Sequence, residues 1–350
     1  MHIGVLTGGG DCPGLNAVLR AVVVTAIKHY NWRVTGVLEG WRGLLERGMT
    51  REMRLNDVAG ILARGGTILK TSRTNPAKVD NGYQIAADRV RRLGLDAVIA
   101  IGGDDTLGVA HEMTEIGVPM IGVPKTIDND IFGTDSTFGF DTAVNTVIDA
   151  IDRVRTTTES HKRVMVVEVM GRHAGWIALH GGIAGGADYL LIPERDSNVQ
   201  EICEVLRKRH EGDKDFSIVV VAEGAHVALD PESESKHTYI TQDTTTDDFG
   251  HVRLGGIGQI LAQEIEKVLG IETRTVMLGH VQRGGAPSAY DRYLCTRFGI
   301  HAVRFVDQKK FGHMVSLRGN DIVGVPLADI AGKNRTVTND LYQEAALFFG

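Results

Sequence analysis

The 350-residue sequence has few cysteines and no hydrophobic run long enough to cross a membrane. Its three cysteines, Cys12, Cys203 and Cys295, are odd in number and lack CxxC spacing. This excludes a disulfide framework and a cysteine zinc site, and it favours a reducing, cytoplasmic location. The longest apolar runs, such as 21–27, fall far short of the ~20 residues that span a bilayer. The first ten residues also lack the features of an export signal, so no membrane partner is expected.

An excess of positive charge is also missing. Lys and Arg number 38 and Asp and Glu number 44, which gives a formal net charge of −6. Such a chain has no general field for binding a polyanion, so no nucleic-acid partner is expected. Glycine, in contrast, is abundant, with 43 residues clustered after apolar runs. These clusters indicate sharp turns or close backbone approach to a ligand.

Six short β-branched runs are each followed by a polar or glycine turn and usually by a helical pattern. Because they are apolar on both faces, they predict parallel strands covered by helices, an α/β fold. These runs start at Ile3, Ala97, Met120, Val164, Ser217 and Thr275. Apolar periodicity predicts helices at 15–27, 143–154, 199–209 and 257–269. The polar stretch 230–249 predicts an exposed excursion, and at roughly 150 residues per domain the length predicts about two domains.

The segments after the first three predicted strands carry glycines, carboxylates and a lysine. In an open parallel sheet, ligands bind beyond the carboxyl ends of the strands. Residues 8–14, GGGDCPG, fit a phosphate at a helix N-terminus, although they match neither the Walker A loop nor GxGxxG. In GGDDTLG (102–108), Asp104 and Asp105 either stabilise the start of a helix or hold Mg²⁺ together with a phosphate. Residues 124–130, PKTIDND, add a cation, a hydroxyl and two more carboxylates.

The residues near the ends of the later predicted strands are mainly positively charged. Any single arginine there is explained by a surface ion pair, but several beside the same crevice indicate a site that pins a sugar phosphate. Acids in one half and bases in the other are typical of phosphoryl transfer. The residues concerned are Arg163, Arg172, His173, Glu223, Arg274, His280 and Arg283.

The sequence resembles the 6-phosphofructokinase family from about residue 3 to 297. The shared motifs, in the family's order, are GGGDCPGLN, GGDDTLG, PKTIDND, VMVVEVMGRHAGW, a Glu223 strand end and TRTVMLGHVQRGG. The resemblance implies two Rossmann-like three-layer α/β/α domains with mostly parallel sheets and the active site in the cleft between them. It divides the chain into 1–139 plus about 282–325 and 140–281 plus about 326–350. It also implies Mg²⁺, fructose 6-phosphate as acceptor and a reversible reaction with diphosphate.

The resemblance also implies roles for individual residues. Asp128 is the base for the sugar 1-hydroxyl, flanked by Thr126 and Asp130, and Asp104 holds Mg²⁺. Arg163 and Arg274 match arginines that reach a neighbouring subunit's site, which implies a homo-oligomer, either a dimer or a tetramer. The sugar phosphate contacts are Met170, Gly171, Arg172, Glu223, Arg274, His280 and Arg283, with Arg172 also assigned to catalysis. The donor contacts are Gly9, Gly10, Arg73, Gly103, Asp104, Asp105 and Lys125.

Two positions depart from the ATP-using branch of that family. Asp105 and Lys125 stand where that branch usually has glycine, and the pair resembles the diphosphate-dependent branch. A carboxylate about 4 Å from the α-phosphate of ATP costs ~1 kcal/mol in water and ~4 kcal/mol at an effective dielectric of 20. Lys125 can neutralise the charge on a diphosphate leaving group. In the alternative, Asp105 turns into solvent and pairs with Lys125, and the enzyme is an ATP-dependent 6-phosphofructokinase.

Two other functional classes fit the sequence less well. A nicotinamide oxidoreductase needs the dinucleotide fingerprint, which Pro13 breaks. A noncatalytic sugar phosphate sensor on the same fold would be expected to lack Asp128 or Asp104, and both are present. Trp41 either lines the donor pocket or packs in the core.

Overall fold

The computed structural model describes residues 1–212, 214–228, 241–246, 252–330 and 332–350, with 241–246 and 252–254 described along the backbone only. The strands are β1 His2–Thr7, β2 Arg33–Val37, β3 Thr50–Met53, β4 Ala97–Gly102, β5 Met120–Thr126, β6 Phe138–Gly139, β7 Val164–Val169, β8 Tyr189–Leu191, β9 Ser197–Asn198, β10 Ser217–Ala222, β11 Val227–Ala228, β12 Thr241–Thr246, β13 Val252–Leu254, β14 Thr273–Met277, β15 His313–Arg318 and β16 Asp321–Pro326.

The α-helices alternate with these strands along much of the chain. They are α1 Leu15–Tyr30, α2 Arg42–Leu45, α3 Gly82–Arg92, α4 Asp104–Glu115, α5 Phe140–Ser160, α6 Trp176–Ala184, α7 Val199–Glu211, α8 Ile257–Leu269, α9 Ala289–Asp307, α10 Leu327–Ile330 and α11 Asn339–Ala346. Short 3-10 helices cover Leu55–Val58, Pro76–Lys78 and Gly279–Arg283.

Two sheets organise the described part of the chain. The larger has the order β16-β15-β5-β4-β1-β2-β3, with β6 beside β5, and the smaller has the order β14-β7-β10-β8. Neighbours in the smaller sheet are parallel, and the larger sheet is parallel except for its outer pairs β2-β3 and β15-β16. The predicted α/β class with mostly parallel sheets is therefore confirmed.

Each central strand is apolar on both faces, as the sequence predicts. In β4, Ile99 and Ile101 join one core cluster while Val98 and Ala100 join another on the opposite face. The same alternation in β10 sends Val220 into the first cluster and its neighbours into a third. The first cluster contains residues of both sheets, so it forms a shared core between them.

All six predicted strands are present, with the last starting at Thr273 rather than Thr275. The four helix predictions also hold, although α5 is longer at both ends. Part of the predicted excursion 230–249 is strand β12, which pairs antiparallel with β13, while its other residues lie outside those described. The three cysteines are free and buried, as expected for a chain without a disulfide framework.

Candidate active site

A cavity of about 890 Å³, including its open mouth, lies where carboxyl ends of strands from both sheets meet. The location follows the rule for open α/β sheets, in which loops after the strands hold the ligand. Its lining residues are Gly9, Gly10, Asp11, Cys12, Arg73, Gly103, Asp104, Asp105, Thr106, Lys125, Thr126, Ile127, Asp128, Asp130, Arg172, His173, Glu223 and Arg283.

Neighbouring loops hold the first glycine turn in place. The amide of Gly9 donates to the carbonyl of Ser72 (3.2 Å), and the hydroxyl of Thr71 donates to the carbonyl of Gly9 (2.6 Å). Gly9 has φ +76°, a left-handed conformation that favours glycine. These contacts bring Arg73 to the same cavity wall.

Lys125 is buried at the end of β5, with only 5% of its surface exposed. Its Nζ donates to the carbonyl of Gly10 at 2.5 Å, which joins the third strand end to the first glycine turn. Burial lowers the pKa of the Lys125 ammonium, and Arg283 acts in the same direction. The buried ammonium therefore lies directly beside the segment suited to phosphate.

Asp128 lies on the loop that leaves β5. Its amide donates to the hydroxyl of Thr126 at 3.0 Å. Its Oδ1 atom is buried and has no hydrogen-bond partner among the described residues. Burial raises the pKa of this carboxyl, and the positive charges of Arg283 and Arg172 oppose the rise. A carboxylate oxygen in that position is available to accept a proton or to face a cation.

Two further acids in the cavity have raised pKa values. The pKa of Asp130 rises to about 8, first because of burial and then because of the negative charges of Asp128 and Asp104. The pKa of Glu223 rises to about 7, again chiefly through burial and then through Asp128. Like charges held close together in a poorly solvated space cannot all ionise at ordinary pH.

The lining includes six carboxylic acids and four lysine or arginine side chains. If all of these groups ionised, two negative charges would be in excess; the raised pKa values of Asp130 and Glu223 relieve this repulsion in the free protein, and a bound divalent cation would relieve it in the loaded site. Within the described residues, no group of three or more His, Cys, Asp or Glu is arranged to hold a metal by itself. Mg²⁺ at phosphoryl-transfer sites takes one or two carboxylates and completes its shell with phosphate and water. The exposed Asp104 and the orphaned Oδ1 of Asp128 fit that limited role.

Five residues named from the sequence do not line this cavity: Arg163, Met170, Gly171, Arg274 and His280. Met170 and Gly171, the two residues before Arg172 in the chain, are buried. His280 is exposed in the 3-10 helix before Arg283.

The prediction that all the arginines share one crevice is wrong for Arg163 and Arg274 within a single chain. They lie at the amino ends of β7 and β14, opposite the edge where the cavity forms. Both pair with the exposed Glu272, at 3.2 and 2.9 Å respectively. Strand direction explains the error, because parallel strands carry residues before and after them to opposite edges of the sheet.

Sequence reasoning did not assign Asp11, Cys12, Thr106 or Ile127 to the site, although each lies within two residues of one that it did assign, and His173 lines the cavity as expected. The side chain of Thr106 explains two of the glycines. A Cβ on Gly8 would lie 2.7 Å from a Thr106 side-chain atom, and a Cβ on Gly102 would lie 2.2 Å from one. Trp41 is 2% exposed and packs in the core, so it does not line the pocket.

Comparison with known proteins agrees with this geometry. The family model described as Phosphofructokinase matches residues 2–306. The chain belongs to the phosphofructokinase family. A pyrophosphate–fructose 6-phosphate 1-phosphotransferase of Streptomyces coelicolor is 55% identical to this phosphofructokinase over 351 residues, covering 100% of both chains. The ATP-dependent 6-phosphofructokinase 2 of the same organism is 51% identical over 349 residues, also covering 100% of both.

A solved structure, that of Pichia pastoris phosphofructokinase in the T-state, superposes on this phosphofructokinase with a TM-score of 0.82 at 33% identity. The match covers 99% of this chain and 36% of that one, so the chain spans about a third of the yeast protein. The resemblance to the family drawn from the motifs is thus confirmed. Among the described residues, no helix combines the length and apolar character needed to cross a membrane.

Proposed function

We propose that this family member is a pyrophosphate–fructose 6-phosphate 1-phosphotransferase that moves a phosphoryl group reversibly between diphosphate and the sugar 1-hydroxyl. The observation that carries the proposal is the presence of Asp105 and Lys125 in one cavity wall beside the glycine turn. The two relatives described above by their chemistry divide between diphosphate and ATP as donor. The donor assignment therefore depends on these two side chains as well as on overall identity.

Asp105 lies in the first turn of α4, half-buried, with Asp104 beside it. A nucleotide whose α-phosphate extended toward this carboxylate would meet a like charge in a partly desolvated space. Inorganic diphosphate ends before that point and avoids the repulsion. Lys125 supplies a buried ammonium on the glycine-turn side, where negative charge collects on the leaving phosphate.

Asp128 serves as the general base for the sugar 1-hydroxyl. No group in the described part of the chain bonds to its buried Oδ1, so this oxygen is available to orient the hydroxyl and accept its proton as the new bond forms. Thr126, Asp130 and Glu223 provide hydrogen-bonding groups for the sugar on the same face. Most of the rate enhancement in such a transfer comes from positioning and charge stabilisation rather than from covalent chemistry.

The cationic side chains divide between the two phosphates. Arg73 and Lys125 lie near the donor loops, while Arg172 and Arg283 follow strands β7 and β14 of the smaller sheet and face the sugar phosphate. Asp104 would hold Mg²⁺, with Asp128 nearby. When bound, the ion would neutralise charge on the diphosphate oxygens.

The wider organisation is also proposed from these observations. Arg163 and Arg274 lie together outside the chain's own cavity, where they pair with Glu272 and Glu266, and we assign them to a neighbouring subunit's sugar phosphate site. Strands of the larger sheet fall within 2–139 and 313–326, and those of the smaller within 164–277, which supports the two expected domains. A cytoplasmic homo-oligomer, a dimer or a tetramer, fits these features.

A donor comparison tests the proposal. Purified protein with fructose 6-phosphate and saturating Mg²⁺ is given either diphosphate or ATP, and fructose 1,6-bisphosphate is measured. We expect turnover with diphosphate and at least a hundredfold smaller kcat/KM with ATP, because about 3 kcal/mol of repulsion corresponds to a factor of more than one hundred. Equal turnover with ATP would establish the alternative, an ATP-dependent 6-phosphofructokinase.

A further inference from the structure

A short C-terminal segment, residues 334–337, contacts the loop that carries Asp128. Asn334 forms an antiparallel bridge with Ile131. The amide of Arg335 donates to the carbonyl of Asp130 at 2.7 Å, and its Nη1 donates to the carbonyl of Asn129 at 3.2 Å. The backbone just after the proposed base is therefore held by one residue through two hydrogen bonds.

The same segment also contacts the loop that carries Arg172. The Arg335 guanidinium lies 4.1 Å from the centre of the Trp176 ring, and Trp176 Nε1 donates back to the carbonyl of Arg335 at 2.9 Å. Glu194 adds a second link, since its carboxylate accepts from the amides of Val337 (2.8 Å) and Gly175 (3.0 Å). Arg335 thus touches the loop of Asp128 and the first residue of α6, which follows the loop of Arg172, and both Asp128 and Arg172 line the cavity.

This arrangement matters because no hydrogen bond from the described residues fixes Oδ1 of the Asp128 carboxylate. The conformation of the loop backbone therefore contributes to the position of that oxygen. The next residue, Asn129, has φ +54°, a left-handed conformation that non-glycine residues adopt only when neighbours support it. The backbone amide of Thr137 donates to Asn129 Oδ1 at 3.0 Å, and Arg335 Nη1 donates to the Asn129 carbonyl.

We propose that Arg335 is a positioning residue for phosphoryl transfer: by joining the Asp128 loop to the Trp176 end of the Arg172 loop, it sets the base at its working distance from the bound sugar phosphate. The inference rests on the proposed transferase function of this cavity. A stacked guanidinium suits the task because its flat face packs on the indole while its edge donates hydrogen bonds. Misplacement of a reacting group by about 1 Å can cost a hundredfold in rate.

The proposal predicts a change in kcat rather than in donor affinity. Arg335 contacts neither the glycine turn nor Lys125, so diphosphate binding is expected to survive its replacement. Arg335→Gln should lower kcat about tenfold to a hundredfold at saturating substrates. The kcat of Arg335→Lys should fall between those of wild type and Arg335→Gln, because an ammonium keeps the charge and can reach a carbonyl but offers no planar face.

Arg297→Gln is the matched control. Arg297 also combines an aromatic contact, 5.5 Å from the Tyr293 ring centre, with donation to a backbone carbonyl, that of Asn320 at 2.5 Å, and it does not line the cavity. We would measure kcat, KM for both substrates, diphosphate affinity by calorimetry and Tm for wild type and the three variants, with assays well below each Tm.

The expected pattern is a reduced kcat for Arg335→Gln with unchanged diphosphate affinity, partial recovery in Arg335→Lys and wild-type kcat in Arg297→Gln. Wild-type kcat in Arg335→Gln, or an equal loss in Arg297→Gln, would overturn the positioning role. A loss of diphosphate affinity in parallel with kcat would also overturn it, because it would show general damage to the site. If wild-type protein uses ATP and not diphosphate, the function proposed above fails, and the same kcat series with ATP still tests Arg335.

Discussion

The guanidinium of Arg283 fills the space in front of Gly10, where the Cβ of any other residue would lie 2.0 Å from Nη1. Gly10 follows β1 of the larger sheet, and Arg283 ends the 3-10 helix after β14 of the smaller sheet. The contact therefore crosses the cavity. Because Gly10 has no side chain, the guanidinium of Arg283 can extend from the opposite wall to the catalytic centre.

This contact predicts that Gly10→Ala impairs activity without destabilising the fold. The tip of Arg283 can swing away from the new methyl group at little cost, but it then leaves its place beside Asp128. We expect kcat/KM for fructose 6-phosphate to fall about tenfold, with Tm within about 1 °C of wild type. Gly108→Ala is the control, because the space around its Cβ is open and its activity should not change. Full activity in Gly10→Ala would show that the position of Arg283 is unimportant.

Asp128→Asn removes the proposed base while keeping the shape of the side chain. We expect kcat to fall by a factor of about 10²–10⁴, the usual contribution of a general base. Fructose 6-phosphate should still bind in a calorimetric titration, since the arginines on the opposite wall remain. Asp88→Asn, on the exposed face of α3, should behave as wild type. Retention of near-normal kcat by Asp128→Asn would remove Asp128 from the base role.

The donor preference should respond to Asp105 and Lys125. The double change Asp105→Gly with Lys125→Gly removes the repulsion against a nucleotide and the ammonium that serves diphosphate. We expect kcat/KM for diphosphate to fall at least tenfold and turnover with ATP to rise, measured side by side. The KM for fructose 6-phosphate serves as the internal control. Unchanged diphosphate turnover in either single variant would contradict the assigned roles.

Asp130 should make the free protein less stable as pH rises. Its folded-state pKa is about 8, because of burial and the nearby Asp128 and Asp104, while the unfolded chain titrates near 4. Between these values the folded state holds a proton that the unfolded state has released, so the free energy of unfolding falls as pH increases. Asp130→Asn abolishes this loss.

The corresponding measurement is Tm against pH from 5 to 8.5 without ligands. We expect Asp130→Asn to exceed wild type by roughly 2 °C or more at pH 8.5, equivalent to about 1 kcal/mol, and by less at pH 5. The control is Asp215→Asn, where Lys162 holds the carboxyl pKa below its usual value, so the slope in this range should not change. A wild-type slope in Asp130→Asn would show that this carboxyl is ionised throughout.

Arg163 should act on the sugar phosphate although it lies outside the chain's own cavity. Arg163→Gln is expected to raise the KM for fructose 6-phosphate tenfold or more, the value of a lost charge-assisted hydrogen bond, and to leave the KM for diphosphate unchanged. In mixed oligomers of Arg163→Gln and Asp128→Asn subunits, some sites combine the Asp128 of one subunit with the Arg163 of its neighbour. These sites should regain a low KM for fructose 6-phosphate. An unaltered KM in Arg163→Gln would argue against a shared site.

Local patterns in the sequence were sufficient to place the elements that hold the site. The run at Ala97 is apolar at every position and the run at Ser217 at every position after its serine, so only a strand covered on both sides can bury them. The outer strands β2, β3, β15 and β16 have no such continuous pattern, and sequence reasoning did not predict them. Their pairing depends on a sheet edge that forms only when distant segments meet.

The sequence alone determined which chemical groups are present at the strand ends and, through the order of the motifs, the family. Tertiary structure decided which of them meet. It placed Arg283 against Gly10 and sent Arg163 to the opposite edge of the sheet, because strand direction and sheet packing, rather than distance along the chain, set the separation of side chains. It also showed Arg335 beside the catalytic loop, a contact between residues about 200 positions apart that no local pattern encodes.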